Sequence, residues 1–135
     1  MTAISEKYSI RVEIKETDID VNGHVNNIVY LHWVQDAAIA HWSTLATKEE
    51  QEKIVWVVAR HEIDYKTALH TGDEVIAITW VGRADALKFE RFTEIIRMQD
   101  NKLAASVRTL WIPINRHTGK IIRVDEEVRK RFSIE

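Results

Sequence analysis

Residues 18–33 read DIDVNGHVNNIVYLHW, which places a polar loop directly before the start of a long helix. From Val29 onward, one set of side chains recurs at spacings of three and four residues, which is typical of one helix face. The recurring positions are Tyr30, Trp33, Val34, Ala37, Ala38 and His41. Either Asn26 or Asn27 can cap this helix by accepting a backbone N–H of its first turn. The pattern predicts a helix that ends near Ala46, is apolar nearly all round and is therefore mostly buried.

The segments on both sides of this helix have the patterns of β-strands. Residues 8–15 alternate apolar and polar side chains, which predicts a half-buried strand. Residues 54–59 are continuously apolar, which predicts a strand that is covered on both faces. Three more strands are predicted from β-branched and aromatic residues, at 74–82, 86–98 and 103–114. Short turns at 82–85 and 100–101 imply antiparallel pairing, and a tail helix is predicted from Asp125, with Val124, Val128 and Phe132 on one side.

The composition is that of one globular domain spanning 1–135, because four glycines and one proline leave no visible linker. A net charge of −2, from 19 basic and 21 acidic residues, argues against a nucleic-acid partner. The lack of cysteine excludes a disulfide framework, a thiolate metal site and a cysteine nucleophile. No apolar run approaches the roughly 18 residues that span a bilayer, and the N-terminus lacks the apolar region of a signal peptide. We therefore expect a cytoplasmic protein with no membrane partner.

The loop before the helix concentrates carboxylates, amides and a histidine where free helix N–H groups point outward. One interpretation is a well-capped loop with no further role. A second is a calcium loop, since Asp18, Asp20 and Asn22 have EF-hand spacing. Val29, however, stands where that loop needs a glutamate, and a strand precedes the segment instead of a helix.

A third interpretation is a catalytic loop that acts on an acyl carbonyl. Backbone N–H groups at Asn26 and Asn27 can polarise the carbonyl oxygen, while Asp20 or His24 activates water or attacks the carbon. Thioesters suit such a site, because a thiolate leaves without strong acid assistance, its conjugate acid having a pKa of about 8.5 as judged from cysteine. The sequence contains no Gly-x-Ser-x-Gly nucleophile motif.

The string from Asp20 to Trp33 resembles the signature of the 4-hydroxybenzoyl-CoA thioesterase-like branch of the hotdog superfamily. It is most similar to small bacterial acyl-CoA thioesterases and is similar also to one repeat of plant acyl-ACP (acyl carrier protein) thioesterases. The likeness continues through residues 56–59, 64–66 and 72–74 and covers nearly the whole chain. It implies an α+β hotdog fold, in which a curved antiparallel five-stranded sheet wraps a long buried helix. It also implies homodimers or homotetramers with active sites at the subunit interface.

The resemblance assigns roles to five residues of the motif. Asp20 matches the catalytic carboxylate, which acts as nucleophile or general base. Asn27 lies at the helix start, whose backbone N–H polarises the thioester carbonyl. Asn22 and His24 match the residues that orient or activate in the acyl-ACP thioesterase motif, and Tyr30 is expected to line the acyl pocket.

The sequence departs from the family pattern in two places. The helix carries Gln35-Asp36-Ala37-Ala38 where the family often has Glu-x-Ala-Arg, so Asp36 either keeps the acidic role or is structural. The downstream Glu-Cys pair of the plant enzymes falls near Ala68 and Leu69, which favours CoA over the carrier protein. The sequence thus predicts an acyl-CoA thioesterase of lipid metabolism. The alternatives are an acyl-ACP thioesterase and a non-catalytic acyl-CoA-binding hotdog dimer, whereas a hotdog hydratase motif is not reproduced.

Four basic residues are candidates for binding the phosphates of coenzyme A, which is part of the substrate. They are Arg83 and Lys88 beside a predicted turn, together with Arg60 and Lys66. Solvated surface charge is an equal alternative for each of them. The six histidines lack the spacing of a metalloprotease motif, so we expect neither a metal site nor a separate cofactor.

Overall fold

We describe residues 6–135 in a computed structural model. Residues 1–5, on which the expectation of no signal peptide partly rests, lie outside this range. The sheet contains five strands: β1 (Tyr8–Val12), β2 (Ile54–Tyr65), β3 (Val75–Asp85), β4 (Lys88–Arg97) and β5 (Lys102–Asn115). The helices are α1 (Asn27–Leu45), α2 (Lys48–Lys53) and α3 (Glu126–Phe132), and a single 3₁₀ turn covers Glu16–Asp18.

All strand pairs are antiparallel, in the spatial order β1-β3-β4-β5-β2. Helix α1 packs against one face of this sheet, with its first half in one core cluster and its second half in another. Tyr30 and Trp33 belong to the first cluster, whereas Ala38 packs with Trp111 and Phe132 in the second. The predicted α+β hotdog fold, with a long helix on a curved five-stranded sheet, is confirmed.

The ends of the helices agree closely with the sequence pattern. Asn26 caps α1, since its Oδ1 accepts a hydrogen bond from the backbone N–H of Ile28 at 3.1 Å. Asp125 caps α3 in the same way through the N–H of Val128 at 3.1 Å. The predicted tail helix therefore exists, and its Val128 and Phe132 side chains are buried as expected.

Two expectations about burial are wrong. Helix α1 is not covered on all sides, because Ile28 and Ile39 on its outer face are 64% and 59% exposed. The apolar strand that begins at Ile54 is not covered on both faces either, because Val57 on one face of β2 is 47% exposed. In both elements, the continuously apolar sequence includes side chains that this chain alone leaves exposed.

The turn predicted at 82–85 is displaced. Strand β3 continues through Gly82 to Asp85, with a shift of register between Val81 and Ala84, and the turn lies at residues 86–87.

Helix α2 is an element that the sequence analysis did not predict. Its capping box pairs Thr47 with Glu50, so that each side chain accepts the other residue's backbone N–H.

Within residues 6–135, no helix combines the length and the apolar character that crossing a bilayer requires.

Candidate active site at the start of the long helix

The loop from Asp18 to Asn27 is held by its own backbone. The N–H of Asp20 donates to the carbonyl of His24 at 2.8 Å, and Ile19 and Val25 form an isolated antiparallel bridge. Gly23 closes the turn at φ +81°, a left-handed conformation that glycine adopts without steric cost. Val25 is buried, and its N–H donates to the carbonyl of Leu69 at 2.8 Å. The loop is therefore anchored to the segment that follows β2.

The carboxylate of Asp20 is partly engaged within this loop. Its Oδ1 accepts hydrogen bonds from the backbone N–H groups of Asn22 at 2.9 Å and His24 at 3.2 Å. Its Oδ2 has no hydrogen-bond donor among the described residues. One oxygen thus fixes the orientation of the side chain, while the other is available to a ligand or water.

The first turn of α1 supplies an unused donor next to this loop. Asn26 caps the N–H of Ile28, and the carbonyl of Asn26 accepts from Val29 at 2.9 Å. The N–H of Asn27 is the first of the helix and has no acceptor among the described residues. Free N–H groups at a helix start attract negative charge, and they are reinforced by the helix dipole.

The end of β2 closes the other side of the site. The phenol of Tyr65 donates to the carbonyl of Asn27 at 2.9 Å, and its ring packs edge-to-face on Tyr30 with 5.2 Å between centroids. Burial raises the pKa of both phenols above the ordinary tyrosine value, so both are neutral at physiological pH. Tyr30 is itself buried.

These groups line one open cleft of about 430 Å³. Asp20, Asn22, His24, Asn27 and Tyr30 all contribute to its wall, as does Lys66 just beyond β2. The cleft thus combines a carboxylate, a free backbone donor and a cation. Such a set can polarise a carbonyl oxygen, activate a nucleophile and hold an anionic group.

The imidazole of His24 lies against a second histidine. It packs edge-to-face on His70, with 4.9 Å between centroids, and no hydrogen bond joins it to Asp20 among the described residues. His70 in turn lies 3.8 Å from a carboxylate oxygen of Asp73. His24 contacts Asp20 through its backbone groups: its N–H donates to Oδ1 of Asp20, and its carbonyl accepts from the N–H of Asp20. The exposed side chain of Asn22 likewise has no hydrogen bond to Asp20 within the described chain.

Of the four basic candidates, only Lys66 lies at this cleft. Arg83 pairs with Asp85 at 3.2 Å. Lys88 is the first residue of β4, and by strand rise it lies about 20 Å from Ile95, which stands level with Tyr65 across β5. Arg60 lies on β2 several residues before the cleft and pairs with Glu62 at 2.6 Å. A single chain does not bring these three residues to Asp20.

No group of three or more histidine and carboxylate side chains within residues 6–135 is arranged to hold a metal ion.

Sequence reasoning assigned no role to Tyr65 or His70, although both touch the site residues. The motif-based likeness included Tyr65 only as part of a strand end. Its hydrogen bond to Asn27 joins residues that are far apart in sequence, so no local pattern signals it. His70 follows the buried Leu69 in the segment that binds the loop backbone, and only that anchoring brings it to His24.

The sequence matches a family model described as the thioesterase-like superfamily over residues 14–132. A similar curated protein is the chloroplastic acyl-[acyl-carrier-protein] hydrolase FATB2 of Cuphea viscosissima, with 21% identity over 76% of this chain. The chain spans only 27% of the length of that relative.

Solved structures resemble the fold over most of its length. The DHNA-CoA thioesterase of Staphylococcus aureus is 24% identical, with a TM-score of 0.79 over 88% of this chain and 81% of that one. A thioesterase of Thermus thermophilus, in complex with coenzyme A and Zn, is 25% identical. Its TM-score is 0.79, over 93% of this chain and 90% of that one.

Proposed function

The chain belongs to the thioesterase-like superfamily, and from this premise we propose that it hydrolyses acyl-CoA thioesters to a free carboxylic acid and CoA. The observation that most supports this proposal is the pairing of a carboxylate with an unused helix N–H in one cleft. Asp20 and Asn27 both line that cleft, and each has one group without a partner among the described residues.

In the proposed reaction, the thioester carbonyl oxygen accepts a hydrogen bond from the N–H of Asn27. Negative charge grows on this oxygen as the carbonyl carbon is attacked, so a preorganised donor stabilises the transition state more than the substrate. The C–S bond breaks, and one oxygen atom from water becomes part of the carboxylic acid product. The departing CoA thiolate then takes up a proton.

Asp20 is proposed either to remove a proton from the attacking water or to attack the carbonyl itself. The backbone N–H groups of Asn22 and His24 fix Oδ1 by hydrogen bonds, so Oδ2 is the oxygen that would take the proton or attack. Many turnovers in H₂¹⁸O distinguish the two routes. A nucleophilic carboxylate acquires ¹⁸O when water attacks the aspartyl carbonyl of its anhydride, whereas a general base acquires none. Label in the peptide containing Asp20, read by mass spectrometry, therefore identifies the nucleophilic route.

The proposed substrate is bound through both of its halves. Tyr30 offers a buried aromatic surface to the acyl group, and Lys66 offers a cation to the CoA portion. The Thermus thermophilus relative was solved with coenzyme A, which favours this thioester over others. Arg60, Arg83 and Lys88 could act on the same CoA only across a subunit interface, since they lie far from Asp20 within one chain.

We propose a homodimer, or a dimer of dimers, as the working assembly. Strand β2 is 12 residues long and lies at an edge of the sheet, so its outer backbone groups need a partner or water. The exposed Ile28 and Ile39 on α1 add apolar surface, and Ile39 lies near Val55 and Trp56 of this strand. Light scattering coupled to size-exclusion chromatography tests the assembly, and a monomer at micromolar concentration would contradict it.

The test of the activity is the release of free thiol from short, long and aromatic acyl-CoAs by wild type and Asp20→Asn. The asparagine keeps an Oδ1 acceptor for the loop amides but loses the charge, so we expect kcat to fall on the order of 10²-fold or more with the melting temperature retained. Asp18→Asn is the matched control, because Asp18 also accepts a loop backbone N–H, that of Lys15, at 2.8 Å. Unchanged turnover in Asp20→Asn would remove this residue from the mechanism, and no hydrolysis of any acyl-CoA by wild type would contradict the activity.

An acyl carrier protein is the alternative carrier of the acyl group, and the similarity to a plant acyl-[acyl-carrier-protein] hydrolase favours testing it. The same acyl chain presented on CoA and on carrier protein allows a direct comparison of kcat/KM. A higher value for the carrier-protein substrate would assign the enzyme to that class. Tight binding of acyl-CoA without hydrolysis would instead indicate a non-catalytic binding dimer.

A further inference from the structure

The wall of the Asp20 cleft, which Asp20 and Asn27 line together, contains one side chain that the loop itself does not orient. The backbone of His24 is fixed to Asp20 by hydrogen bonds of 2.8 and 3.2 Å. Its imidazole, in contrast, has no hydrogen-bond partner among residues 6–135. Within the same residues, the one ring that it touches is that of His70, edge-to-face with 4.9 Å between centroids. The direction of the His24 imidazole therefore depends on His70.

His70 is itself fixed by a tight turn. Its backbone N–H donates to Oδ2 of Asp73 at 2.8 Å, and the N–H of Asp73 donates back to the carbonyl of His70 at 3.1 Å. The preceding Leu69 is completely buried, and its carbonyl accepts from the N–H of Val25 at 2.8 Å. The turn is thus attached to the same loop that carries His24.

Asp73 anchors this turn from behind. Its side chain is only 14% exposed, and its Oδ1 accepts from Nε2 of Gln99 at 2.6 Å. Gln99 lies between β4 and β5, and its Oε1 accepts from the N–H of Glu74 at 3.2 Å. Oδ2 of Asp73 is also 3.8 Å from Nδ1 of His70, so it attracts the ring whenever this nitrogen carries a proton. A continuous chain of contacts therefore runs from Gln99 through Asp73 and His70 to His24.

The direction of the His24 imidazole matters because the ring shares a cleft with Asp20 and the free N–H of Asn27. An imidazole in such a cleft can exchange a proton with the attacking water or with the leaving thiolate. Proton transfer requires close and directed approach, and a misplacement of about 1 Å can cost on the order of 10²-fold in rate. The loop sets where the backbone of His24 lies, whereas His70 sets where its ring points.

We propose that His70 is a positioning residue for the hydrolysis, which holds the imidazole of His24 against the wall of the cleft, and that Asp73 and Gln99 hold His70 in turn. This inference rests on the proposed function, because it gives the side chain of His24 a part in thioester cleavage. His70 needs no contact with the substrate for this role. Its own side chain is 51% exposed, so its removal should change the geometry of the cleft more than the stability of the fold.

Steady-state kinetics on an acyl-CoA tests the proposal with His70→Ala and His70→Phe. We expect kcat of His70→Ala to fall about tenfold and KM to stay within about twofold of wild type, because the ring of His24 loses its support. Phenylalanine keeps an aromatic edge and face for His24, so His70→Phe should recover most of kcat. Both should melt close to wild type. His117→Ala removes a histidine from an exposed turn outside the cleft and should leave kcat unchanged.

A double-variant comparison separates positioning from a general structural role. We expect His24→Ala alone to lower kcat on the order of 10²-fold, as for loss of a group that transfers protons. Adding His70→Ala should then have no further effect, since His70 acts only through His24. Losses that multiply in the double variant would overturn the proposal.

Nuclear magnetic resonance on protein with ¹³C-labelled histidine tests the contact without relying on activity. Wild type should show an NOE between the ring protons of His24 and His70, assigned with the single variants. His70→Ala should shift the ring protons of His24, whereas His117→Ala should not. Absence of this NOE would contradict the contact.

The results distinguish this inference from the proposed function. Full activity of His70→Ala, or equal losses in His70→Ala and His70→Phe, would overturn the role of His70 and leave the thioesterase activity standing. No hydrolysis of any acyl-CoA by wild type would contradict the proposed function and the role of His70 in it, even with the NOE present.

Discussion

The hydroxyl of Tyr65 donates a hydrogen bond of 2.9 Å to the carbonyl oxygen of Asn27, which ties the last residue of β2 to the first residue of α1. The same ring packs on Tyr30 one turn further along the helix. The position of the free Asn27 N–H therefore depends on the sheet as well as on the helix.

Tyr65→Phe removes this hydrogen bond and keeps the ring contact. We expect a loss of about 1 kcal/mol in the free energy of unfolding and a kcat about fivefold lower, since the helix start is less firmly held. Tyr8→Phe is the control, because its hydroxyl accepts from Oγ1 of Thr44 at 3.3 Å away from the cleft. Equal kcat in both variants would contradict a positioning role for Tyr65.

Asn27→Pro tests the backbone donor directly. Proline is well tolerated at the first position of a helix, and the preceding Asn26 already has the extended ψ of 137° that a following proline requires. We expect a melting temperature near that of wild type and a fall in kcat on the order of 10²- to 10³-fold, as for loss of an oxyanion donor. Asn27→Ala keeps the N–H and should retain most of the activity. If proline and alanine have the same effect, the side chain matters and the N–H does not.

The buried His41 should make stability depend on pH. Its pKa is lowered to about 4 by burial and by Arg91, whereas an unfolded chain binds the proton near pH 6.5. The unfolded state therefore binds more protons between these values. Stability from this group is fully present above pH 6.5 and falls by about 3 kcal/mol as pH drops through 4.

Guanidinium unfolding at pH 7 and pH 4.5 measures this effect. His41→Asn keeps an acceptor for Arg91 and should lose much less stability between the two pH values than wild type. His117→Asn, in an exposed turn, should keep the wild-type dependence. Parallel pH profiles for wild type and His41→Asn would show that other groups are responsible.

Gly82→Ala should destabilise the sheet without touching the cleft. A Cβ at this buried position would lie 2.8 Å from Cε2 of Phe92, so the rings or strands must move apart. We expect a loss of about 1–3 kcal/mol, which is typical of overpacking. Combining it with Phe92→Leu should recover part of the loss in a denaturant titration, and simple additivity of the two losses would argue against this contact.

Local patterns in the sequence predicted most of the helices and strands. The Asn26 cap and the spacing of Tyr30, Trp33 and Ala37 together predict α1, because both depend on neighbours within one or two turns. Helix α2 was missed although Thr47 and Glu50 have the spacing of a capping box, so its signal was present in the sequence.

Features that depend on distant neighbours were not predictable in the same way. An apolar run such as the one at the start of β2 is expected both in a central strand and in an edge strand. The pattern indicates that the side chains are buried, but it does not indicate which chain buries them. The inward alternation of Phe89, Arg91 and Thr93 places an arginine in the core, but the sequence does not reveal that His41 is its partner. For the same reason, the motif around Asp20 did not predict that His24 packs on His70.

The order of strands in the sheet has a consequence for how the molecule folds. Strands β3, β4 and β5 pair with their neighbours in sequence, whereas β1 pairs with β3, as in Tyr8 with Thr79, and β2 pairs with β5, as in Ile54 with Asn115. These distant pairings require long loops to close and are expected to form slowly. Because the Asp20 cleft needs the end of β2 beside the start of α1, it is completed only when the last edge strand docks. A refolding chain should therefore acquire most of its β-structure before it acquires its activity.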